Sequence, residues 1–243
     1  MIDNIQRSFV IPILDFSPHS PYNILTLLED LEQIEGEVIC IFNSREVYEK
    51  LYSHPRINKY CYNSLNAGVS RSWNIGINLS EGKSVFVLNA DLHVLPTAIE
   101  EIDHYLFSLD KSVIVGPQGT HIDFRNLNII RYFEKGTFDS PVLTHDVSGF
   151  LFAIHLEKFL ACKLAFDVRF SPCFFEEWDM GLQVMKAGLA CYAVPVKDFE
   201  HHWGLSQASG EVFIEYFGKK LNRNTILDSN MKKFIAKWFP PVI

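Results

Sequence analysis

The sequence predicts an α/β fold: a central, mostly parallel sheet flanked by helices. Three observations carry that expectation. Short apolar runs, as in Glu37–Phe42 (Glu-Val-Ile-Cys-Ile-Phe) and Val85–Leu88, are nearly continuous, the pattern of strands covered on both faces. They alternate with stretches whose apolar residues recur at helical spacing. Polar residues gather where an apolar run stops, as at Asn89-Ala90-Asp91-Leu92-His93, and the carboxyl ends of strands are where such sheets hold ligands.

In chain order, Ser8–Leu14 reads as the first strand. Ser20-Pro21 supplies an N-cap and a first-turn proline to a helix carrying Ile24, Leu27, Leu28, Leu31 and Ile34, which Gly36 ends. The second strand is Glu37–Phe42, followed by Asn43-Ser44 and a short helix through Leu51. Ile57–Tyr62 is a weaker strand, and Ser70–Leu79 a helix with Trp73 and Ile77 on its apolar face. Gly76 inside that helix costs about 1 kcal/mol relative to alanine, which points to a close approach by a ligand or by the sheet. The central strand Ser84–Leu88 comes next, then a helix from Pro96 with Ala98, Ile99, Ile102, Leu106 and Leu109 on one face, and a strand over Ser112–Val115.

From Gln118 the alternation loosens. Asn128–Phe133 and Thr137–Leu143 read as short strands, and Phe150–Ile154 as a buried segment leading to a helix that ends at Leu160. Phe174-Phe175-Glu176-Glu177-Trp178-Asp179 opens a helix through Lys186, Leu189–Val196 is a strand, and Glu200-His201-His202-Trp203-Gly204 follows it. Gly210–Leu221 reads as a helix. The tail from Met231 mixes three lysines with Phe234, Ile235, Trp238 and Phe239, a pattern for a docked terminal helix or for contact with an anionic membrane.

The 243 residues suffice for one large domain, and no internal repeat or low-complexity linker divides them. A net charge of -7 argues against a nucleic-acid partner held by bulk electrostatics. Five scattered cysteines without a Cys-x-x-Cys pair read as reduced packing residues. With no signal peptide and no apolar run of membrane-spanning length, the expectation is a soluble cytoplasmic protein, peripheral at most to the inner face of the membrane.

Three polar clusters end apolar segments: Asn89/Asp91/His93, Glu176/Glu177/Asp179 and His201/His202. Separately each fits a capped turn, a dipole-matched helix start or a solvated loop. Together they suit transfer from a phosphate-activated donor. A divalent cation would neutralise the diphosphate leaving group, and a carboxylate across the cleft would take the proton from an attacking hydroxyl. Glu177 is the candidate base. Residues 1–117 would form the donor half, 118–225 the acceptor half and 226–243 the tail.

At this point the order of motifs resembles the inverting GT-A glycosyltransferases of family two, particularly rhamnosyltransferase-like and galactofuranosyltransferase-like members of bacterial surface polysaccharide synthesis. The matching segments are Asn66-x-Gly68 through Asn74-x-Gly76-Ile77, Leu88-Asn89-Ala90-Asp91 at the Asp-x-Asp position, Asp146-Val147-Ser148-Gly149, Glu176-Glu177-Trp178-Asp179-Met180, and His201 with Gly204. The resemblance implies a GT-A (Rossmann-like) fold and a nucleotide-diphosphate sugar donor. It also implies Mg2+ or Mn2+, inversion at the anomeric carbon, and a glycan or lipid-linked glycan acceptor. By position it implies Glu177 as base and Asn43, Asn74, Asn89 and Asp91 at the donor. Ser148, Gly149, Glu176, Trp178 and Asp179 would orient the acceptor or the base. Asp91 and His201 would hold the metal, with His93 and His202 as further candidates. Asn43 and Asn89 stand where acids are usual in the family, which motivates one alternative, a catalytically weak or inactive subunit of the same fold that binds or scaffolds. A nucleotidyltransferase, the other alternative, would need a basic glycine-rich loop that Ile13–Pro21 lacks.

Overall fold

A computed structural model describes residues 6–17, 20–201 and 212–240. The first half runs β1 (Arg7–Ile13), α1 (Ile24–Glu32), β2 (Glu37–Phe42), α2 (Arg45–Leu51), β3 (Lys59–Tyr62), α3 (Val69–Leu79), β4 (Ser84–Leu88), β5 (Leu92–Val94), α4 (Pro96–Ser108) and β6 (Ser112–Gly116). The helix predicted from Ser20 starts later. Asn23 is its N-cap, accepting the Leu25 N–H at 2.9 Å while Thr26 Oγ1 accepts the Asn23 N–H at 2.9 Å. This reciprocal capping box satisfies two orphan donors, whereas Ser20 Oγ accepts only the Tyr22 N–H before the helix.

The second half contains β7 (Gly119–Asp123), β8 (Asn128–Phe133), β9 (Val142–Thr144), β10 (Asp146–Val147), β11 (Leu151–His155), α5 (Leu156–Ala161), α6 (Glu176–Lys186), β12 (Ala190–Ala193), β13 (Phe199–His201), β14 (Phe213–Tyr216), β15 (Lys219–Asn222) and α7 (Arg223–Trp238). Of the strand predicted over Thr137–Leu143, only Val142–Thr144 pairs, and β7 was not expected. A helix is predicted over Gly210–Leu221; Gly210 and Glu211 lie outside the described residues, and Phe213–Asn222 form instead the hairpin β14–β15. Phe217 and Gly218 both take positive φ (48° and 72°), the two-residue turn whose twist matches paired strands.

Eight strands form one sheet in the order β3-β2-β1-β4-β11-β6-β12-β9. It is parallel except at β11, which runs antiparallel between β4 and β6, and at the edge strand β9. Strand alternation feeds two cores. Phe9, Ile11 and Ile13 face α1 and α4, while Val10, Ile39 and Val87 face Trp73 and Ile77 of α3 and Met180 and Val184 of α6. Gly76 is where α3 rests on β1: a Cβ there would lie 2.1 Å from Val10 Cγ1, so the sheet is what approaches.

Two consequences position the site. Because β11 is antiparallel, its start lies beside the carboxyl end of β4, with Leu151 opposite Leu88. The tail is a docked terminal helix: Phe234 is fully buried, and Ile235 and Phe239 are its exposed apolar residues. Among the described residues no helix is long and apolar enough to cross a membrane.

Candidate active site

Beyond Leu88 the chain turns, with the Asn89 N–H donating to Phe150 O at 2.8 Å and the Leu92 N–H to Asn89 O at 3.3 Å. It then re-enters as β5, which pairs antiparallel with β13 so that Leu92 faces His201 and Val94 faces Phe199. This short ladder brings together residues far apart in sequence. Asp91 Oδ1 lies 3.5 Å from His201 Nε2, and Asn89 Nδ2 lies 3.3 Å from the same nitrogen. The Phe150 ring stacks on the imidazole at 4.5 Å and 12°, fixing its plane.

His93 is not part of this group. It sits between Leu92 and Val94, both fully buried, so the period of two aims it at the other face of β5. There its Nδ1 lies 2.9 Å from Asp30 Oδ2 and its ring stacks on Tyr22 at 5.0 Å. The imidazole therefore fastens β5 to α1. His202 lies outside the described residues.

The carboxylate end is built at the start of α6. Phe174 and Phe175 precede it with φ of 77° and 72°, left-handed backbone that costs roughly 1–2 kcal/mol per non-glycine residue. The Glu177 carboxylate lies against the backbone of Gly149. A Cβ on Gly149 would stand 2.7 Å from Glu177 Oε1 and 2.8 Å from the Trp73 ring, so the absence of a side chain permits the contact. Burial pushes the Glu177 carboxyl up to about 7, and the Asp146 charge adds to that, against the pull of nearby backbone N–H groups, chiefly its own. A small apolar cavity lined by Val147, Phe152, Phe166 and Met180 abuts Glu177. Glu176 is almost fully buried, and its Oε2 has no hydrogen-bond partner. Burial, then the Glu177 charge, raises its pKa well above the carboxylate range. Asp146, pushed up by burial to about 6, is partly compensated by the Thr120 N–H and hydroxyl at 2.8 and 2.6 Å.

The two ends meet at one dipeptide. Gly149 packs against the Glu177 carboxylate, and the next residue, Phe150, accepts from Asn89 and stacks on His201. Consecutive Cα atoms are about 3.8 Å apart, so the base candidate and the Asn89/Asp91/His201 group flank the same piece of backbone.

Several predicted site residues are committed elsewhere. Asn74 grips the Phe166 backbone with both ends of its amide, at 2.7 and 3.0 Å. Asn43 is buried, its Nδ2 on Ser72 Oγ (2.9 Å) and its Oδ1 accepting from Asn63 and the Ala67 N–H, so it braces the turn after β3. Asp179 is fully buried under the tail, where Lys237 (2.6 Å) and Trp238 Nε1 (2.7 Å) reach it. Trp178 packs edge-on against Phe175 and Phe234. Ser148 is half-buried and its N–H donates to Gln118 O at 2.9 Å. Sequence reasoning missed the ring of Phe150 and the anchoring residues Asn230, Lys237 and Trp238. The aromatic-basic pattern of the tail marked its apolar face but said nothing of Asn230.

A divalent ion fits the donor chemistry of Asp91 and His201. A carboxylate oxygen and an imidazole nitrogen facing each other at 3.5 Å are near the spacing of two ligands that each bind at about 2.0–2.2 Å. Among the described residues no three His, Cys, Asp or Glu side chains group to hold an ion. A two-residue site leaves further positions to water and phosphate oxygens, the usual arrangement for Mg2+.

Residues 27–160 match the family model described as glycosyl transferase family 2. No curated protein matches the chain significantly. Among solved structures, that of GalNAc-T7 with UDP, GalNAc and Mn2+ superposes with a TM-score of 0.71 at 13% identity, covering 99% of this chain and 49% of that one. The likeness shows the GT-A fold, and this chain spans about half the length of that structure.

Proposed function

The chain belongs to glycosyl transferase family 2, and from that premise we propose that it moves a sugar from a nucleotide-diphosphate sugar to a hydroxyl of a glycan or lipid-linked glycan, with inversion. The observation that supports this best is the Gly149–Phe150 dipeptide, with Glu177 on one side and Asn89, Asp91 and His201 on the other. Glu177 accepts the proton of the acceptor hydroxyl as its oxygen attacks the anomeric carbon, and the bond from that carbon to the diphosphate breaks. A pKa of about 7 lets the carboxylate take that proton near neutral pH and later return it to water. Asp91 and His201 would hold a Mg2+ or Mn2+ ion, which when bound supplies charge neutralisation for the departing diphosphate. Asn89 lies beside them to hold the donor, and the motif order favours an acceptor of the surface-polysaccharide kind.

The experiment is a nucleotide-sugar panel with the Glu177→Gln variant. UDP, GDP and dTDP sugars are tested with Mn2+ for binding by calorimetry and for transfer or slow hydrolysis. The expected outcome is metal-dependent donor binding by both proteins and turnover by the parent alone. Full turnover by Glu177→Gln removes Glu177 from the role of base, and absence of binding with every nucleotide removes the donor site.

A further inference from the structure

The turn that delivers Glu177 is held by the far end of the chain. Asn230, on α7, is 1% exposed. Its Nδ2 donates to Phe170 O at 2.6 Å and Cys173 O at 2.8 Å and lies 3.3 Å from Phe174 O. An amide nitrogen has two protons, so three converging carbonyls use its donor capacity fully. Its Oδ1 accepts from Lys233 Nζ at 2.8 Å, and the same ammonium donates to Arg169 O at 2.8 Å. The carbonyls gathered in this way end at Phe174, the first of the two left-handed residues before Glu176 and Glu177. Such backbone persists only where its surroundings over-determine it. The rest of α7 closes on the same segment. Phe234 packs 5.2 Å from the Phe175 ring, and Lys237 and Trp238 reach Asp179 in the first turn of α6.

We propose that α7 is a positioning element of the active site and that Asn230 is the positioning residue through which it acts, by locking the 170–174 turn so that the Glu177 carboxylate lies against Gly149. This rests on the reading of Glu177 as the base, but the geometry is tested apart from turnover.

The experiment follows the Glu177 carboxyl directly, by 13C NMR titration of protein labelled at glutamate side-chain carboxyls, in the full chain without ligand. The signal is assigned as the one missing from Glu177→Gln. The titratable groups facing it are Glu176 beside it, Asp146 from β10 and the Cys173 thiol from the turn, and none of these is altered. Asn230→Leu keeps the shape, adds no charge and removes every hydrogen bond. Asn230→Ser keeps one donor and is the second arm if the leucine variant does not fold. The midpoint is expected to fall by about one pH unit or more in Asn230→Leu, as Glu177 escapes to water, and by less in Asn230→Ser. A role confined to stability would lower Tm and leave the midpoint in place, and an unmoved midpoint in a folded variant overturns the proposal. Should Glu177→Gln retain turnover while Asn230→Leu moves the midpoint, the base reading falls and the positioning of Glu177 stands.

Discussion

The carboxyl of Glu177 shows what one environment does to one side chain. Its ordinary value of 4.5 is pushed up to about 7, first by burial and further by Asp146. Between those two values the folded protein keeps a proton that the unfolded chain has lost. The raised pKa therefore contributes stability that is fully present below about 4.5 and lost as pH rises towards 7. Asp146, pushed up to about 6, acts with the same sign. Replacing Glu177 by glutamine removes this dependence. Thermal melts should show the variant gaining on the parent from pH 5 to pH 8, and a constant difference would contradict the shifted pKa. Turnover, which needs the ionised base, should rise about tenfold per pH unit below pH 7 and level off above it.

At the scale of elements, close backbone contacts decide where helices sit. Gly76 lets α3 lie directly on β1, and at Gly181 of α6 a Cβ would stand 1.8 Å from His145 O. Helix propensity alone says that alanine at position 76 should stabilise by about 1 kcal/mol. The contact says the opposite, because Val10 is fully buried and a methyl at position 76 would lie only 2.1 Å from its Cγ1. Overpacking of this kind costs about 1–3 kcal/mol, so Gly76→Ala should lower Tm by roughly 2–12 °C in a chain of this size. A rise in Tm would show that the contact relaxes. Element identity also yields to local geometry at β14–β15, where a two-residue turn at Phe217-Gly218 overrides the helical reading of the surrounding residues.

For the whole molecule, donor and metal should act as a single ligand of the folded state. UDP with Mn2+, or the nucleotide that the panel selects, at a hundred times its Kd should add about 2.7 kcal/mol of stability. The gain should vanish in Asp91→Asn and persist in Glu177→Gln, and loss in both would argue against two separable ends. The mostly parallel sheet was legible in the sequence, because strands covered on both faces must be apolar throughout and Phe9–Ile13, Glu37–Phe42 and Val85–Leu88 are nearly so. The acidic and imidazole clusters were legible as residue types at the ends of those runs. Their assignment was not, since hydrogen-bond partners come from chain far away. Asn74 is claimed by Phe166, Asn43 by the turn after β3, and Asp179 by Lys237 and Trp238. His93 and Asp91 differ by two positions, yet a turn and a three-residue strand send one to Asp30 and leave the other beside His201. Local pattern, set by the period of strand and helix and by apolar burial, determined the layers and the candidate residues. Which side chains meet was decided only by tertiary pairing, in the β5–β13 ladder and the antiparallel entry of β11, because contacts across about a hundred residues leave no trace in local periodicity.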